Sequence, residues 1–265
     1  MTENHFTCTN CSALSSGDFC SACGQKKFER GQFALRHAIK EFFSEFSDLE
    51  SSLGKTIRTL VLQPGKLTSD YLQGKQKSYV TPVKLYLIVI TANFLFYAFL
   101  EEYSFLNINM LKDMADSITW FQRAIAQAQL ASGFSTNEFF HLVNSRVNDT
   151  LPIFLYFLIF AQALVLKIQF AKHQRYYIEH LVFALHFMSF GFLRDMALLP
   201  VQFLFNKQIA LIISIATTIW YLSRSFKHAY AIQSKRLAFH TLLHYLIFFL
   251  LFTLVIVLAI MIALR

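Results

Sequence analysis

The chain has 265 residues, 55% of them hydrophobic and 30 of them phenylalanine, with a mean hydropathy of +0.43, a composition outside the soluble range that reads as an integral membrane protein. A formal charge of +8 would suit a nucleic-acid binder, but the cations stand in blocks beside apolar runs, as topology determinants do, so nucleic acid is disfavoured as a partner. All 4 cysteines fall within the first 23 residues, which leaves none for a disulfide elsewhere, and the N-terminus has no apolar core behind a charged start, so no cleavable signal peptide is expected.

Residues 8 to 23 read CTNCSALSSGDFCSAC. Two Cys-x-x-Cys pairs make a tetrahedral thiolate site for structural zinc, with Cys8, Cys11, Cys20 and Cys23 as ligands: each two-residue spacer turns a knuckle that aims both sulfurs at one ion. Gly24 suits the sharp turn after the last ligand. Only 8 residues separate the pairs, so this minimal ribbon over 1–27 has no hydrophobic core and folds chiefly on its metal. The alternatives are a redox dithiol or an iron–sulfur site; a redox dithiol would need a βαβ scaffold that cannot fit here, and four protein ligands leave a zinc no open position for catalysis. The ribbon is then either a folded cap or a docking knob for a protein partner.

A juxtamembrane segment occupies 28–81. Leu35, Ile39, Phe42, Phe46, Leu49 and Leu53 recur at helical spacing with charged residues between them, which predicts an amphipathic helix that resumes over Lys55 to Leu62 and stops at Pro64-Gly65. Over Gly54 to Leu85 the basic residues Lys55, Arg58, Lys66, Lys75, Lys77 and Lys84 interleave with Leu60, Leu62, Leu67, Tyr71, Leu72 and Tyr79, as expected of backbone lying on anionic lipid headgroups.

The transmembrane domain follows over 82–265. Five spans are predicted, at about 83–100, 151–170, 180–203, 209–226 and 242–264, each near the roughly twenty residues that cross a bilayer. Pro82 sits well at the start of the first, where its missing N–H costs nothing. Positive residues gather on the segments predicted inside, including Lys167, Lys172, Arg175, Arg224, Lys227, Lys235 and Arg236, so the N-terminus is expected in the cytoplasm and the C-terminus outside. That puts the ribbon in a reducing compartment, where free thiolates persist. The outside insert over 101–150 carries two amphipathic runs, one through Met110 to Ile125 and one through Phe139 to Val147, read as separate interfacial helices.

Ionisable groups inside spans need a partner or a use. His180 and His186 lie on the third span and point to different faces, about 240 degrees apart, so they cannot chelate one ion by themselves. His240 and His244 share a face of the fifth span at its cytoplasmic entry, and with His180 they would make a three-imidazole metal site or proton relay if those spans are neighbours. Arg194 and Asp195 are adjacent and diverge by about 100 degrees, so each is expected to find a partner on another helix or to reach outer water.

These pieces together resemble the bacterial family catalogued as domain of unknown function 3667. The resemblance rests on the ribbon ending Phe19-Cys20-x-x-Cys23-Gly24, on Arg58-Thr59-Leu60, Pro64-Gly65, Tyr71-Leu72-x-Gly74-Lys75, Tyr79 and Pro82, on the His180-Leu-Val-Phe-Ala-Leu-His186 stretch and on the Tyr221 to Lys235 linker. It implies a multi-span bacterial membrane protein with an N-terminal ribbon and no established activity. Where the family stretch carries a further histidine, this chain has Met188.

The expectation is an all-α membrane protein of about five transmembrane helices with amphipathic interfacial helices, preceded by a minimal four-cysteine zinc ribbon. It is placed in the bacterial inner membrane as a non-enzymatic protein that docks a protein partner or anionic lipid. Two rivals stand beside it. One is a transporter or channel component with a polar path near Arg194 and Asp195, to which His186 and Asn93 would contribute. The other is a membrane-embedded metal enzyme using His180, His240 and His244, which no paired carboxylates, nucleophile elbow or phosphate loop supports.

Overall fold

The computed structural model describes residues 5–27, 52–98, 111–112, 116–232 and 234–264. The amphipathic stripe expected before Leu53 and the first half of the outside insert therefore fall largely outside the described residues. Two strands open the chain, β1 (His5–Thr7) and β2 (Leu14–Ser16), paired antiparallel with Phe6 opposite Ser15. The α-helices described after them are α1 (Leu53–Leu62), α2 (Lys66–Leu72), α3 (Pro82–Ala98), α4 (Thr119–Ser132), α5 (Thr136–Gln169), α6 (Tyr177–Leu204), α7 (Lys207–Tyr230) and α8 (Ser234–Ala263).

Four of these, α5 to α8, are long and apolar enough to cross a membrane, against the five spans expected. The expected first span falls on α3, which is described over 17 residues, and the span's last two residues, 99 and 100, lie outside the described residues. Large apolar side chains such as Phe157, Phe160, Leu211, Ile212, Leu250 and Leu254 stay exposed on the long helices, as lipid-facing surfaces require.

The insert over 101–150, expected outside, also differs from its sequence reading. The second amphipathic run is not a separate helix: α5 runs unbroken for 34 residues with Pro152 inside it. The reason is a continuous buried stripe, Phe139, Val143, Val147, Leu151, Leu155 and Ile159, in steps of four along one face. Nothing between Thr136 and Gln169 interrupts that stripe, so the helix gains more by continuing than by turning.

The chain divides into two compact units. One comprises the ribbon, α1, α2, the start of α3, the end of α5, α6, α7 and the first residues of α8. Within it α6 packs along α7, joined by the two residues Phe205-Asn206, with the Asn206 carboxamide oxygen accepting from the Ile209 N–H at 2.8 Å as the cap of α7. Aromatic rings fill that seam, including Phe190 stacked on Tyr221 at 3.8 Å and Phe183 on Phe226 at 5.4 Å. The short α1–α2 pair lies against both α6 and α7. Between α1 and α2, Gly65 adopts a left-handed φ of +80° and sits so close to α7 that a Cβ there would fall 2.6 Å from the Ser225 Cα. Only glycine supplies both the backbone angle and the clearance.

The other unit comprises the rest of α3, α4, most of α5 and the rest of α8. Phe121 and Ile125 of α4 are buried, as are Val255, Ala259 and Ile260 of α8. Gly133 ends α4 in the left-handed conformation at φ +71°, and Ser135 then opens α5 with its hydroxyl donating to Glu138 at 2.6 Å.

Candidate metal centre

The ribbon is two copies of one turn. In the first, the Ser12 N–H donates to the Cys8 carbonyl at 2.9 Å and the Cys8 N–H to the Ala13 carbonyl at 2.9 Å; in the second, Gly24 and Cys20 repeat these bonds at 2.8 Å, with Gln25 in the place of Ala13 at 2.7 Å. The residue after each second cysteine is left-handed, Gly24 at φ +71° as the sequence led one to expect and Ser12 at φ +63°, which it did not. The turns hang from β1–β2 and from the Phe19–Lys26 bridge.

This symmetry brings Cys8, Cys11, Cys20 and Cys23 together, with the four Sγ atoms all within 4.8 Å of one another. Cys8 and Cys23 are 3.6 Å apart, as are Cys11 and Cys20. A tetrahedron of sulfurs about 2.3 Å from a central zinc has edges of about 3.8 Å, so the donor set fits a thiolate-bound metal ion. Two neighbours donate to the sulfurs: the Ser15 hydroxyl reaches Cys20 Sγ at 3.3 Å and the Asn10 amide reaches Cys23 Sγ at 3.6 Å. Hydrogen bonding from Ser15 is the main cause that lowers the Cys20 thiol to about 6. For Cys11 the Ala13 N–H pulls downward, but the Cys23 thiol, burial and the Cys20 and Cys8 thiols push it up to about 12. Four thiolates this close repel one another, and a divalent cation removes that repulsion.

The ribbon is docked on its own chain. The Thr9 hydroxyl donates to the Gly74 carbonyl at 3.0 Å, the Lys77 N–H donates to the Gln25 carboxamide oxygen at 2.7 Å, and the Ser78 hydroxyl donates to the Asn10 carboxamide oxygen. Residues 74–78 link α2 to α3. Their shape comes from Gly74 at φ +90° and from Asp70, whose carboxylate accepts from Lys75 Nζ at 2.9 Å and from the Tyr79 hydroxyl at 2.8 Å. Burial, and then the bond to Asp70, raise the Tyr79 phenol to about 12.

Leu60, Leu67, Tyr79 and Val80 are buried, turned inward where α1 and α2 meet α6 and α7. Lys55 sits over the Tyr79 ring at 5.2 Å, and Lys75 pairs with Asp70. Arg58, Lys66 and Lys77 are exposed, and Lys84 is half-buried.

The histidines are held one by one. Among the described residues, the four cysteines are the one group of three or more His, Cys, Asp or Glu side chains placed to hold an ion. His180, His240 and His244 are not brought together in that way. His180 bonds the Tyr230 hydroxyl at 2.8 Å, while His244 meets Gln169 Oε1 at 3.1 Å and His240 meets Gln169 Nε2 at 3.3 Å. One glutamine at the end of α5 thus bridges the two histidines that share a face of α8. His186 shares a bond of 2.9 Å with the Thr68 hydroxyl and so fastens α2 to α6.

Arg194 finds the expected partner on another helix, but the two residues also pair with each other, Arg194 Nη2 reaching Asp195 Oδ1 at 2.7 Å. The long arginine side chain bends back across the angle that separates the two Cβ atoms. Its remaining nitrogen, Nη1, donates to the Thr218 hydroxyl and to the Ser214 carbonyl at 3.4 Å, tying α6 to α7.

Residues 50–94 match the model of a family described as "Protein of unknown function (DUF3667)". The resemblance read from Arg58-Thr59-Leu60 through Pro82 therefore holds over this stretch, which contains α1, α2, the 74–78 loop and most of α3. No curated protein and no solved structure matches the chain.

Proposed function

We propose a multi-pass protein of the bacterial cytoplasmic membrane with a non-enzymatic role: a zinc ribbon on the cytoplasmic side, and beside it a basic surface that docks anionic lipid headgroups, with the outer face of the ribbon open to a protein partner. The observation that carries this reading is the division of the 53–80 segment into two faces. Leu60, Leu67, Tyr79 and Val80 are buried, whereas Arg58, Lys66 and Lys77 stay exposed, as does Leu62, and the three cations make no ion pair among the described residues. Unpaired cations beside membrane-crossing helices attract acidic phospholipid. On the ribbon, Leu14 and Phe19 are 70% and 59% exposed, an apolar pair that supports contact with a protein.

The zinc assignment follows from the donor set, since four thiolates in a closed cage suit zinc better than hard cations. The test is metal content of the purified, detergent-solubilised protein, wild type against a variant with Cys8, Cys11, Cys20 and Cys23 all changed to Ser. One zinc per wild-type chain and none in the variant is the expected result; metal retained by the variant would move the site to the histidines. Mass spectrometry of co-purified lipid tests the basic surface. An Arg58→Gln, Lys66→Gln, Lys77→Gln variant should lose phosphatidylglycerol relative to zwitterionic lipid, and unchanged lipid would count against it.

A further inference from the structure

The contacts between the ribbon and the 74–78 loop are placed on the metal-binding turns themselves. Thr9 and Asn10 are the two spacer residues between Cys8 and Cys11, and Gln25 follows Cys23 by two. Gln25 is buried, with 5% exposure, so its carboxamide is committed to the loop and to the Lys26 carbonyl that it donates to at 3.1 Å. Asn10 has a double engagement, donating to Cys23 Sγ through its amide and accepting from Ser78 through its oxygen. One residue therefore touches a ligand sulfur and the loop at once. The loop is bound largely through its backbone, at the Gly74 carbonyl and the Lys77 N–H. Backbone recognition demands a fixed position for Thr9 and Gln25, and a ribbon without a hydrophobic core obtains that position from its metal.

We propose that the ribbon is a metal-dependent latch: with its four sulfurs gathered on an ion, Thr9, Asn10 and Gln25 clasp residues 74–78 and fix the loop that leads into α3, and loss of the ion releases that loop. This rests on the metal reading of the cysteines given above. The latch joins the metal site to the family-matched segment, since the loop lies inside residues 50–94 and leads directly to the helix that begins at Pro82. Coupling of this kind is reciprocal. If metal strengthens the grip on the loop, the loop strengthens the grip on metal.

The Lys77 amide is the reporter, because its acceptor is Gln25 Oε1, whereas the Lys75 and Tyr79 amides bond within the segment to the Asp70 and Gln76 carbonyls. The experiment is hydrogen exchange of the full chain in lipid nanodiscs, with zinc content measured on the same samples. In the zinc-loaded protein the Lys77 amide is protected; a chelator should speed its exchange about tenfold or more, as release of one or two hydrogen bonds implies. Gln25→Ala should do the same while one zinc per chain is retained, which separates the latch from unfolding of the ribbon. Ser78→Ala should lower zinc affinity several-fold in competition with a chromophoric chelator. Lys77 exchange within twofold of wild type after chelation, or in zinc-loaded Gln25→Ala, would overturn the latch. If the wild type binds no metal, the metal reading fails and the metal dependence with it.

Discussion

Gly65 gives the most demanding test of how the family-matched segment is seated. Replacing it by Ala forces a side chain into a left-handed backbone at φ +80° and brings Cβ to 2.6 Å from the Ser225 Cα and 2.8 Å from the Ser225 carbonyl oxygen. The first effect costs about 1–2 kcal/mol. The second is overpacking against main chain, about 1–3 kcal/mol. The sum of about 2–5 kcal/mol corresponds to a rise of about 30-fold or more in the population of the unseated α1–α2 pair. Because both close contacts are to backbone atoms, shortening the Ser225 side chain should not rescue the variant. Gly133→Ala is the control: Gly133 is also left-handed, at φ +71°, but a Cβ there meets open space. It should carry only the first cost. The assay is denaturant titration in mild detergent together with hydrogen exchange over 66–72. The reasoning fails if Gly65→Ala costs no more than Gly133→Ala, or if Ser225→Ala restores it.

Other expectations follow from the same contacts. Ser12→Gly relieves the left-handed serine at φ +63° in the first metal turn and should tighten zinc binding by up to about fivefold, the equivalent of about 1 kcal/mol; weaker binding in a chelator competition would contradict this. Tyr79→Phe removes one of the donors to the buried Asp70 and should cost about 1–2 kcal/mol in the same denaturant titration. The Tyr79 phenol has its folded pKa raised from 10.0 to about 12, so its stabilising contribution is full below pH 10 and is lost as pH rises through 12. Wild-type stability should accordingly fall across that window, and in Tyr79→Phe the fall should be smaller by the phenol's share; an identical fall would show that the phenol is not coupled to folding. His186→Leu should loosen α2 by about 1–3 kcal/mol, since it leaves the buried Thr68 hydroxyl without its partner, and exchange over 66–72 reports it.

The cysteine ligands were legible because Cys-x-x-Cys spacing alone dictates which sulfurs meet. Gly24 was legible for the same local reason, while Ser12 was not, because serine carries no signal for a left-handed angle. The long apolar helices were legible from hydropathy, but the fusion of the outer amphipathic run with its span into α5 was not. It depends on a stripe of buried side chains that stays in register across the point where polarity changes. The histidines show the limit most clearly. His186 meets Thr68 118 residues earlier, and His180 meets Tyr230 50 residues later, so no window along the chain contains both members of either bond. Residue type suggested metal or proton chemistry; the partners show histidines that join elements. For Arg194 and Asp195 the helical wheel placed the Cβ atoms correctly and missed the reach of the arginine side chain.

The motif residues of the 50–94 stretch now have physical reasons that converge on one role. Gly65 permits contact with α7, Thr68 is fastened to α6, Asp70 gathers Lys75 and Tyr79, and Gly74 turns the loop and offers its carbonyl to Thr9. A segment that merely rested on lipid would need amphipathic spacing and little else. This one is specified at its glycines and polar side chains, which is the pattern of a joint between folded parts: α6 and α7 on one side, the cysteine ribbon on the other. Lys77 is the point where the two proposals meet, since its N–H is held by Gln25 while its side chain is exposed. Opening the latch would therefore change the presentation of an exposed cation proposed to meet lipid as well as the loop that carries it. On that reasoning zinc removal and the Lys77→Gln variant should lower binding of anionic lipid by overlapping rather than additive amounts.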